Sequence, residues 1–259
     1  MISRYRVTLG GVQMDSLDSN LRILDVGYTA PDEQITASRV ANLDGFSYNN
    51  KYTEKQSVTI TFELHIYGIA ERNEACQKVN AWAAAGGNLT VNERSGQYLY
   101  NVRCEQYATI ASARNWTDPL TVVFSTTAIP YWISSTAKTL TLESGTAEAG
   151  TLVMDGNIGN ALVSATITAS SNTVTSLQIS AGSTSITLSG LSLAATKSLA
   201  IDYINGRYLR IRQNGSNAMS KMTAGSSDVL CIPCNDTSYL EVIADNAVAT
   251  VFTARGLWL

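Results

Sequence analysis

Residues 57–68, SVTITFELHIYG, alternate in character from one position to the next. Val58, Ile60, Phe62, Leu64 and Ile66 fall on one side, and Thr59, Thr61, Glu63, His65 and Tyr67 on the other. A period of two predicts a half-buried β-strand over the whole stretch. The same pattern recurs in VSATITAS (163–170), SLQISA (176–181) and TSITLSGLSL (184–193), where hydroxyl side chains alternate with aliphatics. Asn205-Gly206 and Asn214-Gly215 each sit between strand-like runs and predict tight hairpin turns, because both residue types accept positive φ. SYLEVIAD and AVATVFTARGLWL read as two final antiparallel strands joined around Asp245-Asn246. Residues 139–259 therefore read as an all-β sandwich of about eight strands.

The first half is mixed. YRVTLGG, LRILDVGY, NLTVNE, QYLYNVRCEQYATI and LTVVFSTTAIPYWI are strand candidates. GIAERNEACQKVNAWAAAGGN is the one strong helix: Cys76, Val79 and Ala83 share a stripe with Ala75 and Trp82 beside it, and Gly86-Gly87 ends it. Residues 28–53 carry little periodicity. The whole reads as mainly β in two domains, an α+β domain over 1–138 and a sandwich over 139–259. Composition supports that division. Residues 1–138 hold 12 Lys/Arg and 13 Asp/Glu, residues 139–259 hold 6 and 8, and the second segment has 31 Ser and Thr in 121 positions.

Charge narrows the function. Charged residues make up 15% of the 259 and the net charge is -3, which argues against tight nucleic-acid binding. No apolar run approaches the roughly 18 residues of a membrane span, and no secretory signal opens the chain, so synthesis in a cytoplasm is expected. His65 lacks a nearby nucleophile motif and reads as an ordinary strand-face residue. Cys231-Ile232-Pro233-Cys234 has the spacing of a zinc or redox pair, yet no second ligand pair and no following helix accompany it. No catalytic residue, metal or cofactor is assigned. Arg207, Tyr208, Arg210 and Arg212 form a basic hairpin that is a candidate ligand or partner surface. Long connections in compact domains often form interfaces, so Tyr28, Ile35, Phe46, Tyr48 and Tyr52 are candidate subunit-contact residues on a hairpin or arm.

Taken in order, SVTITFELHIYG, VNAWAAAGG, LTVNERSGQYLYNVRC, FSTTAIPYWI, SLAIDYINGRYLRIRQNG and TVFTARGLWL resemble the distal tail proteins of long-tailed bacteriophages over nearly the whole chain. TAGSSD stands where that family has a leucine–proline–glycine–asparagine turn. The resemblance implies a non-enzymatic virion protein at the tail tip. It implies a homohexameric ring built by the first domain, with a galectin-like sandwich projecting outward. The implied partners are the tail tube protein, a tail-tip hub or fibre protein and a receptor-binding protein. The competing expectation is a carbohydrate-binding module for host surface glycans, using Tyr203, Tyr208, Arg210 and Trp258. A hydrolase built on His65 is the third.

Overall fold

The computed structural model describes residues 4–31, 33–39, 46–110 and 118–259, and for 33–39 and 46–52 it describes the backbone alone. The chain divides into two compact units, Met1–Trp132 with Leu259, and Ile133–Trp258.

The first unit holds β1 (Val7–Leu9), β2 (Val12–Gln13), β3 (Leu21–Tyr28), β4 (Glu33–Arg39), β5 (Phe46–Thr53), β6 (Ser57–Leu64), α1 (Ile69–Ala85), β7 (Gly87–Val91), β8 (Gln97–Gln106) and β9 (Leu120–Ser125). The strand order is β2-β1-β7-β8-β9-β6-β3. Strand β6 lies between β3 and β9 and sets the rungs of the core. Ile23, Phe62 and Leu120 form one rung, Val26, Ile60 and Val122 the next, and Tyr28, Val58 and Phe124 the third. A bulge between Ile23 and Asp25 explains why LRILDVGY shows no clean alternation. It shifts the inward positions of β3 from odd numbers to even ones. The expected strand over 57–68 stops at Leu64, so His65 lies just beyond it. Ile66, predicted to continue the buried face, is only half-buried.

Helix α1 covers this sheet with Ala75, Cys76, Val79, Trp82 and Ala83 buried, the predicted stripe. Arg72 is buried as well. Trp82 meets the ring of Phe124 edge-on, with centroids 5.7 Å apart, and its indole N–H donates to the Val12 carbonyl at 2.9 Å. The helix ends where Gly86 takes φ +62°, a conformation that glycine adopts without a Cβ penalty. Space favours glycine there too, since a Cβ would crowd the Val102 carbonyl oxygen at 3.0 Å.

Strands β4 and β5 pair with each other from Glu33↔Thr53 to Arg39↔Phe46 and form a two-stranded sheet of their own. Within the aperiodic 28–53 stretch, residues 33–39 and 46–53 are therefore two paired strands of a β-ribbon.

A short strand, β10 (Trp132–Ser134), spans the division between the units. The second unit holds β11 (Lys138–Val153), β12 (Asn160–Ala169), β13 (Val174–Ala181), β14 (Thr184–Leu193), β15 (Ser198–Ile204), β16 (Tyr208–Gln213), β17 (Ser216–Asn217), β18 (Cys231–Pro233), β19 (Thr237–Ala254) and β20 (Leu257–Trp258). Strand β19 organises it. Its one edge pairs with β11 from end to end. Its other edge pairs with β13 through Leu240–Ala244 and with β12 through Val248–Ala254. Sheets β19-β13-β14 and β19-β12-β15-β16 thus share one strand and close over one core, in which Ile179, Ile186 and Leu188 meet Val163, Ile167, Leu199, Ile201 and Phe252.

The expectation of two final strands turning at Asp245-Asn246 is corrected. The chain runs on there as one strand, with a register irregularity against β11. Asp245 accepts the Thr175 N–H at 3.0 Å, and the Asn246 amide donates to the Thr173 carbonyl at 2.9 Å. Side chains that suit turns here tie the strand to the neighbouring loop. Both Asn-Gly turns form as expected. Asn205 and Gly206 take φ +52° and +66°, and the Arg207 N–H donates to the Ile204 carbonyl at 3.1 Å. Asn214 and Gly215 take +50° and +81° between Gln213 and Ser216. No helix among the described residues is long and apolar enough to cross a membrane.

Trp82→Ala removes the largest α1 contact with the sheet and leaves a cavity under the helix. It is expected to destabilise the first unit by about 3–5 kcal/mol, read as an earlier transition in urea unfolding followed by far-UV circular dichroism.

Candidate functional site

The basic hairpin is built by register. The turn at Asn205-Gly206 sets Ile204 opposite Tyr208, and so Asp202 falls opposite Arg210. Positions 202, 204, 208, 210 and 212 project to the outer face, while Leu199, Ile201 and Ile211 enter the core. Arg210 donates to Asp202 through Nε at 2.7 Å and Nη2 at 2.9 Å, and Arg212 Nη2 donates to Asp202 Oδ2 at 2.7 Å. A two-point arginine–carboxylate contact is geometrically demanding and holds both planes in place. The Arg210 hydrogen bonds hold the Asp202 carboxyl below the usual carboxylate range; partial burial opposes this and Arg212 adds to it. Two of the three arginines singled out from the sequence are thus internally paired. Tyr208 remains 65% exposed beside Ile204, and Arg207 is the last residue of the turn. Tyr203 points inward, with its hydroxyl donating to the Leu230 carbonyl at 3.0 Å and accepting the Leu230 N–H at 2.7 Å. Burial pushes that phenol up to about 12. Of the four residues named for sugar contact, Tyr203 therefore faces away from Tyr208 and Arg210. The Trp258 indole N–H donates to Ser134 Oγ at 2.9 Å.

Tyr28 belongs to an aromatic cluster within the first unit. Its ring stands edge-on to Trp132 at 5.4 Å, and Arg94 lies over both rings, 5.4 and 5.1 Å from their centroids. Burial, followed by the Glu93 charge, raises its hydroxyl to about 12, while Arg94 opposes the shift. Ile35, Phe46, Tyr48 and Tyr52 fall on β4 and β5, and their side chains lie outside the described residues.

His65 Nε2 lies 2.6 Å from a Glu63 carboxylate oxygen. It borders a cleft of about 210 Å³ with Ser19, Asn20, Leu21 and Arg22. A second cleft of about 390 Å³ lies at the C-terminal end of α1, lined by Ala84, Ala85, Gly86, Asn101, Arg103, Cys104 and Tyr107. It presents a thiol raised by burial and no carboxylate.

The CxxC pair is a strand. Cys231–Pro233 forms β18 and pairs with Asn160–Leu162 of β12. Burial raises both thiols, and metal binding or disulfide exchange needs the thiolate. The Cys231 N–H donates to Thr184 Oγ1 at 3.0 Å, and Cys234 Sγ accepts the Leu257 N–H at 3.3 Å. Among the described residues, no group of three or more His, Cys, Asp or Glu is placed to hold a metal ion.

Sequence reasoning missed Asp202, the residue that organises the hairpin face. The turn alone did not reveal it: a two-residue Asn-Gly loop would pair position 202 with Leu209, whereas the loop holds three residues, Asn205 to Arg207, and so pairs 202 with Arg210.

No protein-family model matches the sequence, and no curated protein matches it. The fold has solved counterparts. The crystal structure of the Dit protein (gp 19.1) of SPP1, described as a paradigm of the hub adsorption apparatus in phages infecting Gram-positive bacteria, superposes with a TM-score of 0.71 at 13% identity. The match covers 97% of this chain and 98% of that one. The activated, calcium-containing baseplate of phage P2 holds a chain matching at 10% identity and a TM-score of 0.49, over 99% of this chain and 98% of that one. This chain has the mainly-β, two-part fold of the SPP1 protein.

Two outcomes follow from these geometries. Because the Asp202 carboxyl is depressed in the folded protein, its contribution is complete above the unfolded carboxylate value of about 3.9 and is lost as pH falls through the lower folded value. The Tm gap between the native protein and Asp202→Asn should therefore be full at pH 7 and close progressively below pH of about 4 in calorimetric scans. His65→Ala, which touches the half-exposed Glu63–His65 pair and no core rung, is expected to move the unfolding free energy by no more than about 0.5 kcal/mol in chemical denaturation.

Proposed function

We propose that this chain is a structural distal tail protein of a long-tailed bacteriophage or a related tail-like particle. In this reading its first domain builds a sixfold ring at the end of the tail tube. The second domain, a galectin-like sandwich, stands outside the ring. The ring joins the tube to a tail-tip hub or fibre protein and carries a receptor-binding protein. The carrying observation is the superposition on SPP1 Dit, which runs through both units and nearly the full length of both chains. The domain boundary of the proposal lies at 138/139. Three further features support it. The chain is β-rich with one long helix, its net charge is -3, and its thiols are raised rather than activated. A weakly charged ring wall suits a passage that DNA must cross without sticking.

The β4–β5 ribbon is the proposed arm to the next subunit. Rings form by heterologous contacts, in which one surface of a subunit meets a different surface of its neighbour. A ribbon that, among the described residues, pairs with neither large sheet has its outer strand edges available for that role. Ile35, Phe46, Tyr48 and Tyr52 fall on it.

A second reading, glycan binding by the sandwich, has one observation in its favour. The fixed Arg210–Asp202–Arg212 plane sets donors and an acceptor side by side next to the exposed Tyr208 ring. Saturable binding on a glycan array, lost in Tyr208→Ala, identifies this activity.

Assembly separates the ring from the alternatives. Light scattering with negative-stain imaging is expected to show rings of about six times 27.8 kDa for the full chain, alone or on adding tail tube protein. Replacing residues 33–53 by a short glycine–serine linker should leave a folded protein that stays a monomer under both conditions. Normal virion assembly and infectivity in a phage lacking the gene overturns the proposal.

A further inference from the structure

The second unit treats its sheet edges unequally. Strand β14 would end one sheet, yet residues 223–227 complete it. The Thr223 N–H donates to the Thr187 carbonyl at 2.9 Å, and the Ser227 N–H to the Ser185 carbonyl at 2.7 Å. In return, Ser185 and Thr187 donate their N–H groups to the hydroxyls of Ser227 and Ser226 at 3.1 and 3.0 Å. The other sheet finishes in the tight β16–β17 turn. Strand β11, by contrast, pairs with β19 alone among the described residues, and its second edge stays open over 16 residues. Proteins normally blunt such edges with proline, lysine or a covering loop. From Ala147 to Val153 this one carries neither proline nor lysine, and Ala147, Ala149, Thr151 and Val153 are exposed among the described residues.

The local geometry is that of an acceptor. The Met154 N–H donates to the Asp236 carbonyl at 2.9 Å, which fixes the phase of the ladder. Backbone groups alternate along a strand, so Leu152 and Gly150 face β19 while Val153, Thr151 and Ala149 present N–H and C=O to the open side. The side chains of the edge are small, with Ala147, Ala149 and Thr151 all exposed. Behind them on β19 stand two large exposed residues, Tyr239 opposite Thr151 and Ile243 opposite Ala147. Val153 adds a third at 64% exposure. A strand added to β11 would lie two strand spacings, about 9.6 Å, from β19. A bulky side chain on it could lie across the alanines and reach Tyr239 or Ile243. Charge selects the visitor. Glu143 and Glu148 on β11 and Glu241 and Asp245 on β19 are opposed on these two strands by Lys138 alone.

We propose that the Ala147–Val153 edge of β11 is a strand-addition site for an extended, cationic segment of a separate protein chain with bulky apolar side chains at alternate positions. Backbone hydrogen bonds hold the segment, and the Tyr239–Ile243 face selects its side chains. A second copy of this edge is disfavoured as the occupant, because pairing β11 with itself brings two acidic strands together.

The test uses the full chain and a fluorescein-labelled nine-residue peptide alternating threonine with phenylalanine or valine, with lysine at both ends. Fluorescence anisotropy at low salt is expected to show saturable binding that weakens as salt is raised. Methylating alternate backbone amides of the peptide, so that it cannot donate to the edge, should weaken binding at least about tenfold. Thr151→Pro, which removes an edge N–H without breaking the ladder to β19, should do the same with an unchanged unfolding midpoint. The methylated peptide keeps the test decisive if that variant unfolds. Equal binding of methylated and unmethylated peptides overturns the proposal, as does no binding of either. Self-association of the protein that Thr151→Pro abolishes, without peptide binding, assigns the edge to a second copy and overturns the choice of occupant.

Discussion

A strand can bury one face only if every second residue is apolar and every backbone group on that face finds a partner. Strand β19 meets that constraint for two sheets at once. Leu240, Val242, Val248, Phe252 and Ala254 enter the core, while one backbone edge serves β11 and the other serves β13 and then β12. The irregular stretch around Asp245-Asn246 lies where β19 passes from pairing with β13 to pairing with β12. Opposite it the β11 register slips between Leu142 and Gly145 and again between Gly145 and Ala147. A bulge of this kind keeps the inward face inward through the irregularity. The β14 and β15 strands, the two Asn-Gly turns and the hairpin face are placed by their pairing outward from this strand.

The first unit solves the same problem with a helix. Strand β6 supplies four fully buried apolar side chains, and its neighbours extend each rung. One face of the sheet then needs a cover, and α1 provides it through Trp82, Val79 and Ala83. A Cβ on Gly86 would crowd the Val102 carbonyl oxygen at 3.0 Å, so the GG pair serves both to end the helix and to seat it closely.

Much of this was legible in the sequence because strict alternation and Asn-Gly pairs are local signals. VSATITAS, SLQISA and TSITLSGLSL became β12, β13 and β14, and the Asn214-Gly215 turn closed as its residue types dictate. What was not legible depended on partners far away in the chain. Asp245-Asn246 looked like a turn because asparagine and aspartate favour turns, but Thr173 and Thr175, some 70 residues earlier, occupy those side chains instead. Strands β4 and β5 were hidden because Asn50 interrupts the alternation of Phe46, Tyr48 and Tyr52, and EQITASR offers only Ile35 and Ala37 as apolar positions. At the candidate hairpin, the three arginines and the tyrosine were visible, but the carboxylate that neutralises two of them emerged only from register. The contrast between the covered β14 edge and the open β11 edge had no sequence signal: TSITLSGLSL read as an ordinary sandwich strand, and residues 138–153 were not singled out as a strand at all.

The fold of this β-rich, weakly charged two-part protein matches SPP1 Dit along its length, and the proposal built on that match is a structural piece of a tail tip. Cryo-electron microscopy of the intact particle that carries this gene tests it most directly. The account predicts a sixfold density at the distal end of the tail tube into which six copies of the first unit fit around the channel, with the sandwiches outside. A reconstruction that resolves the tail tip and holds no density for this chain, or holds it elsewhere without ring symmetry, contradicts the account.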